Sequence, residues 1–112
     1  MIESKMTINK ELGNILHEFK TEVEKSTYPG PEKMLLFGSH ARGEAVEGSD
    51  IDLLLVFNRN VPASTERKIR SISNSLSLRH DVVISEFLFT DDDFKNHRTP
   101  FLLNVKKEAV VV

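Results

Sequence analysis

Two aspartates separated by one residue are the most chemically suggestive feature of the sequence. Asp50 and Asp52 begin an otherwise apolar segment that ends at Phe57. Since alternate residues of a strand point to the same face, the two carboxylates are predicted to converge on one spot. Two clustered carboxylates raise each other's pKa unless a cation lies near them. Mg²⁺ is the natural counter-ion, because it takes carboxylate oxygens and bridges substrate phosphates.

A glycine–serine pair precedes these aspartates. Gly38 and Ser39 follow the short apolar run of residues 33–37 and are separated from Asp50 by ten residues. A turn between a strand and a helix presents unpaired N–H groups that favour phosphate oxygens, and glycine lets a ligand approach the backbone closely. On its own, the pair would be an ordinary helix cap with serine as N-cap. Together with the two aspartates, it predicts a site for a metal and a phosphorylated ligand.

Other charged residues give weaker signals. Arg42 could bind phosphate through its planar guanidinium or pair with a nearby carboxylate, and the sequence favours neither interpretation. His40 is a lone histidine, for which solvent exposure is the simpler explanation. The acidic run 91–93 follows Thr90 and is typical of a helix start, where negative charge is stabilised by the helix dipole. We therefore expect no metal at that run.

The elements that would position the site follow from hydrophobic periodicity. A leading amphipathic helix is predicted to end at the Pro/Gly cluster of residues 28–31. Strands are predicted over 33–37 and 51–57, the second covered on both faces because it is continuously apolar. The apolar residues of the leading helix at helical spacing are Ile8, Leu12, Ile15, Leu16, Phe19 and Val23.

The second half of the chain completes an α/β arrangement with a small mixed sheet flanked by helices. A helix is predicted around 69–76 and a third strand over 81–89. A last helix is predicted to begin at Thr99-Pro100, and residues 109–112 form a final short strand. The aromatic and apolar residues predicted to be core rather than a base-stacking surface are Phe87, Leu88, Phe89 and Phe94.

Length and composition predict one cytoplasmic domain that spans residues 1–112. The apolar runs are far shorter than the roughly 20 residues of a membrane span, and the N-terminus lacks a signal peptide's apolar stretch. The absence of cysteine excludes disulfides and thiolate metal sites. A net charge of −2 without a basic stripe argues against direct nucleic-acid binding.

Gly-Ser, a ten-residue spacer and Asp-Ile-Asp before an apolar run resemble the signature of the DNA polymerase β-like nucleotidyltransferase superfamily. Ala41-Arg42-Gly43 and Ser49 make the chain similar to its minimal nucleotidyltransferases, and the resemblance extends from the leading helix to residues 100–112. It implies the polymerase β-like fold and a nucleoside triphosphate, with ATP the expected one. The residues that the resemblance assigns to nucleotide binding are Gly38, Ser39, Arg42 and Ser49.

The resemblance also implies a third carboxylate on a later strand, and the matching position is Asp81. His80 stands where an apolar residue is more usual. Two other roles for Asp81 therefore remain alternatives, an aspartate at a strand end and a partner of Arg79. Glu86 is the fallback for the third ligand. The implied mechanism uses two Mg²⁺ or Mn²⁺ ions held by Asp50, Asp52 and Asp81. A nucleoside monophosphate is transferred and pyrophosphate is released.

Stand-alone minimal nucleotidyltransferases resemble the antitoxin half of toxin–antitoxin pairs whose partner is a HEPN-domain ribonuclease. The resemblance therefore implies transfer of AMP to a protein such as a HEPN toxin, since a chain of this length has no room for a second substrate domain. A catalytically inactive subunit that only binds nucleotide or neutralises its partner is the alternative. Size disfavours an antibiotic-modifying transferase. The acceptor, the base preference and the oligomeric state are left open.

Overall fold

The computed structural model describes residues 10–112. It confirms the predicted α/β fold with a mixed sheet flanked by helices. Ile8, assigned to the leading helix, lies outside the described residues. None of the helices within 10–112 is long and apolar enough to span a membrane. In chain order the elements are α1 Lys10–Ser26, β1 Lys33–Phe37, α2 Ser39–Arg42, β2 Ile51–Phe57, α3 Ala63–His80, β3 Ile84–Thr90, α4 Asp91–Asn96, α5 Pro100–Glu108 and β4 Val110–Val111.

The four strands form one sheet in the order β3-β2-β1-β4. β2 runs antiparallel to β1 and parallel to β3, and β1 also pairs antiparallel with β4. This register places Phe37 opposite Asp52 on one side and Ser85 beside Asp52 on the other. The aspartate of β2 is thus held between two neighbouring strands of the sheet.

Alternation along β2 divides the core into two layers. Ile51, Leu53, Leu55 and Phe57 face α1 and α3, where they join the larger hydrophobic cluster. Leu54 and Val56 face α4 and α5 in a second cluster. Both faces are covered, which explains why the segment is apolar at every position except Asp52. By the same alternation, Asp52 lies on the face covered by α4 and α5.

The third strand begins later than the sequence predicted. β3 starts at Ile84, whereas the prediction began at Asp81, because α3 continues to His80 and Asp81 is its C-cap. Asp81 adopts a left-handed conformation with φ 56°, and its N–H donates to the Ser77 carbonyl. The Ser77 hydroxyl then accepts from the N–H of Ile84 at 3.1 Å. This serine therefore stabilises the turn that delays the strand.

The predicted starts of the last two helices are confirmed. The Thr90 hydroxyl accepts from the N–H of Asp93 and caps α4, so the acidic run lies in the first turn as expected. The Thr99 hydroxyl accepts from the N–H of Leu102 and caps α5, with Pro100 at the first helical position. These caps set where α5 begins and hence which of its residues face the sheet.

Candidate functional site

A cleft of about 460 Å³ opens where the C-terminal end of β1 and the start of β2 meet α2 and α5. We call it the carboxylate cleft. Six residues that the sequence assigned to the site line it, and five further residues complete its wall. The six are Gly38, Ser39, Arg42, Ser49, Asp50 and Asp52, and the five are Phe37, Phe101, Asn104, Val105 and Glu108.

Gly38 is required by the geometry of the cleft. It is the N-cap of α2, with φ 81° and ψ −158°, a backbone conformation that is essentially restricted to glycine. A Cβ atom at this position would lie 2.3 Å from Oδ2 of Asp52. The absence of a side chain therefore lets the backbone turn pass directly beside the aspartate carboxylate. Ser39 is the first residue of α2 and not its N-cap, so the ordinary serine-cap interpretation is wrong.

The two aspartates form a site of concentrated negative charge. Burial, and then repulsion from Asp50, raises the pKa of the Asp52 carboxyl above its ordinary value. The nearby charges of His40 and Arg42 act in the opposite direction without cancelling these effects. The predicted convergence of Asp50 and Asp52 in one cleft is thus present, and a bound cation would relieve the repulsion between them.

Glu108 is an acidic cleft residue that the sequence interpretation missed. It ends α5, and its Oε2 accepts from the buried N–H of Gly38 at 2.9 Å. Its side chain also lies within the electrostatic reach of Asp52. A negative charge at the C-terminal end of a helix interacts unfavourably with the helix dipole. This unfavourable position was the signal in the sequence that Glu108 has a partner elsewhere in the fold.

Arg42 pairs with carboxylates in this structure. Its Nε donates to Glu44 at 2.9 Å, and its Nη1 lies 3.2 Å from both carboxylate oxygens of Glu108. These hydrogen bonds, to Glu44 first and then to Glu108, raise the pKa of the guanidinium, which remains fully charged. Since the side chain also lines the cleft, pairing with Glu108 keeps a cation beside the aspartates. Its role in nucleotide binding stays a prediction.

The two serines differ in what their hydroxyls do. The Ser49 hydroxyl accepts from the N–H of Val46 and closes the turn before Asp50, while its carbonyl lies 3.4 Å from Nε2 of His40. His40 is therefore half-buried and in contact with the loop, not fully exposed as expected. Within residues 10–112, the Ser39 hydroxyl has no hydrogen-bond partner. Ser39 is thus the serine whose hydroxyl is available to a ligand.

The structure does not bring Asp81 into the carboxylate cleft. It lines a second cavity, together with His40 and Ser49, on the other side of the loop that precedes Asp50. Among residues 10–112, no three acidic or histidine side chains lie close enough together to hold a metal. The three-carboxylate site is therefore not assembled in this structure, and the metal-binding role of Asp81 stays a prediction.

Arg79, the alternative partner of Asp81, and Glu86, the fallback ligand, both pair with other residues. Arg79 and His80 both contact Glu18 of α1, at 2.5 Å and 2.7 Å, so Arg79 is not the partner of Asp81. Glu86 lies beside Leu53 in the sheet, on the face opposite to Asp52, and it forms an ion pair with Arg70 at 3.6 Å. This arrangement excludes Glu86 as a ligand in the carboxylate cleft.

The oxygen donors present suit Mg²⁺. Asp50 and Asp52 supply two carboxylates, and Mg²⁺ is commonly held by one or two carboxylates together with substrate phosphates and water. Burial, and then repulsion from Asp50, raises the pKa of Asp52, and a cation beside the carboxylate would offset both effects. These two residues would therefore hold the metal together with the oxygens of a phosphorylated ligand.

The aromatic residues are only partly core. Phe94 is buried as predicted, whereas Phe87 is 38% exposed, so the core interpretation is wrong for Phe87. Its ring lies at the edge strand β3 and contacts Phe37 and Phe101, with ring centroids 5.6 and 5.3 Å apart. An aromatic surface therefore continues from the wall of the carboxylate cleft towards solvent.

Comparison with known proteins agrees with this geometry. The sequence matches the nucleotidyltransferase domain family over residues 16–110. A Methanocaldococcus jannaschii relative named "Putative protein adenylyltransferase" is 30% identical over 102 residues, which cover 91% of this chain and 99% of the relative. A crystal structure described as a "putative nucleotidyltransferase" from Sulfolobus solfataricus has a TM-score of 0.60 at 22% identity, over 88% of this chain and 76% of that one. A toxin–antitoxin crystal structure with AMP-PNP has a TM-score of 0.62 at 15% sequence identity, and the match covers 88% of this chain and 69% of that one.

Proposed function

Because the chain belongs to the nucleotidyltransferase domain family and is a nucleotidyltransferase enzyme, we propose that it transfers AMP from ATP to a protein in a Mg²⁺-dependent reaction. One observation carries this proposal: Gly38, Ser39, Asp50 and Asp52 line the same cleft although up to 14 positions separate them. A phosphate-binding turn and a pair of metal-binding carboxylates are the parts that nucleotidyl transfer needs.

Each end of the motif has a distinct task. The turn at Gly38 and the free hydroxyl of Ser39 bind phosphate oxygens of the triphosphate, and the charge of Arg42 favours the same anion. Asp50 and Asp52 would hold Mg²⁺, or Mn²⁺ in its place. When bound, the metal supplies Lewis acidity and neutralises charge that develops on the phosphates.

The reaction is a substitution at the α-phosphorus. An acceptor hydroxyl oxygen forms the new bond to this phosphorus while the bond to the bridging oxygen of the leaving group breaks. Pyrophosphate departs with that electron pair, and the hydroxyl proton passes to water or to a carboxylate. The protein contributes by holding both reactants in line and by balancing charge.

The acceptor is a partner protein, and we propose a HEPN-family toxin that is neutralised by binding, by AMP transfer or by both. The relative's name, protein adenylyltransferase, supports a protein acceptor, and the fold is shared with a toxin–antitoxin structure. The reaction takes place in the cytoplasm, where ATP is supplied. A purified mixture with this toxin that neither co-elutes nor becomes labelled would refute the partner.

The decisive experiment follows the α-phosphate. The purified protein is incubated with α-labelled ATP and Mg²⁺, with and without the product of the neighbouring gene, beside an Asp50→Asn/Asp52→Asn variant. Label that appears on an acceptor and disappears in the double variant would establish nucleotidyl transfer. Label that persists in the variant would exclude these carboxylates from the reaction.

A specific observation favours a second candidate, an inactive subunit that binds nucleotide or neutralises its partner. Asp81 lies outside the carboxylate cleft, and no three-ligand group exists in the described part of the chain. Under this alternative, ATP binds in a Mg²⁺-dependent manner but no acceptor becomes labelled under any condition. The labelling experiment therefore separates the two candidates when ATP binding is measured on the same samples.

A further inference from the structure

The carboxylate cleft has a second, apolar end that the proposed reaction has not used. Three aromatic rings meet there, those of Phe37, Phe87 and Phe101, with centroids between 5.3 and 5.6 Å apart. Two of them, Phe37 and Phe101, line the cleft itself. Phe37 directly precedes Gly38 and lies opposite Asp52 in the sheet, so the aromatic end is continuous with the carboxylate end.

One face of α5 runs along the cleft from end to end. Phe101, Asn104 and Glu108 are spaced by three and four residues, which places them on the same side of a helix. Glu108 is fixed at the carboxylate end by its bond from Gly38 N–H, and Phe101 lies among the rings. At 1.5 Å per residue, these two positions are about 10 Å apart along the helix axis, which is comparable to the reach of a nucleotide from base to phosphates.

Asn104 lies between these two ends. It is exposed, it lines the cleft, and within residues 10–112 its side chain makes no hydrogen bond. A side-chain amide offers one acceptor and one donor group side by side. The pair matches adenine, which presents an N6 amino donor next to a ring-nitrogen acceptor.

We propose that the aromatic end binds the adenine base of ATP, with Phe101 stacking on the base and Asn104 recognising its N6/N7 edge. The inference rests on the proposed nucleotidyl transfer and assigns the base preference of the same site. At this edge guanine presents two acceptors, O6 and N7, so the Asn104 amide can satisfy only one of them. Pyrimidines lack N7 and offer a smaller surface for stacking. The site therefore selects adenine.

The test measures binding without turnover. Calorimetric titrations compare the α,β-methylene analogues of ATP and GTP, which cannot release pyrophosphate, in the presence of Mg²⁺. The variants are Asn104→Leu, which keeps the side-chain size and removes the amide, and Asn74→Leu as a matched control. Asn74 is exposed on α3, whose apolar side faces the opposite side of the sheet.

We expect the wild-type protein and Asn74→Leu to prefer the ATP analogue by about 5- to 150-fold, since one good bidentate base contact discriminates by roughly 1–3 kcal/mol. Asn104→Leu should bring the two affinities to within about threefold. An unchanged preference in Asn104→Leu would overturn the assignment of Asn104. If the wild-type protein bound neither analogue, the proposed function itself would fail, and the base assignment with it.

The stacking part has its own measurement. Phe101→Leu keeps an apolar residue but removes the ring, and loss of base stacking should weaken the ATP analogue by roughly 5- to 150-fold. The thermal transition of the free variant is recorded first, because Phe101 also contacts neighbouring rings. A folded Phe101→Leu protein that binds the ATP analogue as tightly as wild type would overturn the stacking role.

7-Deaza-ATP tests the edge that Asn104 contacts. This nucleotide lacks the N7 acceptor but keeps the N6 amino group and the stacking surface. We expect its α,β-methylene analogue to bind the wild-type protein about 5-fold or more weakly than the ATP analogue. Asn104→Leu should bind the two analogues with equal affinity. A wild-type protein that does not distinguish the two would overturn the N6/N7 assignment.

Discussion

Replacing Gly38 with alanine tests whether the glycine turn positions the Asp52 carboxylate for the proposed reaction. The added Cβ would lie 2.3 Å from Oδ2 of Asp52, where an ordinary contact is 3.4 Å or more. The carboxylate oxygen must therefore move by about 1 Å. A displacement of that size in a reacting group can cost about 100-fold in rate. We expect Gly38→Ala to lose roughly two orders of magnitude in AMP transfer.

Gly43→Ala is the matched control for backbone strain. Gly43 also has a positive φ, 74°, but no described atom lies within 4 Å of the position of its Cβ. Left-handed strain should lower its free energy of unfolding by about 1–2 kcal/mol, or roughly 4–8 °C in Tm. Gly38→Ala should lose about 1–3 kcal/mol, because its φ and ψ are nearly exclusive to glycine.

The assay separates stability from activity. Transfer from α-labelled ATP is measured well below both melting temperatures, with circular dichroism confirming that each variant is folded. Gly43→Ala should stay within a few-fold of wild type while Gly38→Ala falls by about 100-fold. If folded Gly38→Ala transferred AMP within threefold of Gly43→Ala, the contact with Asp52 would not position the carboxylate and the reasoning would be refuted.

Three further predictions concern stability. Glu108→Ala removes the acceptor of the buried Gly38 N–H and should cost about 1–3 kcal/mol in urea unfolding, whereas Glu108→Gln keeps an acceptor and should cost less. Burial, and then repulsion from Asp50, raises the pKa of the Asp52 carboxyl in the folded state. This carboxyl therefore stabilises the folded protein below its unfolded pKa of about 3.9, and the contribution is lost as the pH rises through its folded pKa. Asp52→Asn should abolish this part of the metal-free pH dependence, and an unchanged profile would contradict the assigned cause. Thr99→Ala removes the cap of α5 and should lower the free energy of unfolding by about 0.5–2 kcal/mol, with no change as the contrary result.

Most of the fold was predictable because local patterns and tertiary burial agree. The apolar residues of α1 at helical spacing are buried, and β2 is covered on both faces as its unbroken apolar run required. The start of β3 was not predictable, because neither glycine nor proline marks the turn at Asp81. That turn depends on hydrogen bonds to the carbonyl and hydroxyl of Ser77.

The site was predictable only where its residues are close in sequence. Gly38, Ser39 and the two aspartates form one motif, and the strand pairing brings them into one cleft. Glu108 could not be placed, since its contacts with Gly38 and Arg42 span 70 and 66 positions. The exposure of Phe87 was also missed, because an apolar run on an edge strand looks the same in sequence whether or not its face is covered.

Asp81 shows how a matching position in sequence can differ in geometry. Ser85 lies beside Asp52, and two-residue alternation would carry the same face back to position 81 if the strand extended that far. The strand begins only at Ile84, and the turn before it places Asp81 in the second cavity, which shares Ser49 with the carboxylate cleft. Asp81 therefore lies outside the carboxylate cleft, and we predict that it serves the acceptor and not the triphosphate.

Asp81→Asn should consequently reduce transfer without changing the affinity for the α,β-methylene analogue of ATP. A general base contributes about 100- to 10,000-fold, so a loss in that range would assign the acceptor proton to Asp81. Glu86→Gln is the control, because Glu86 faces the opposite side of the sheet. Unchanged transfer in Asp81→Asn would remove Asp81 from the reaction, and weaker nucleotide binding would instead place it with the metal. The split between binding and turnover thus decides which side of the reaction the third carboxylate serves.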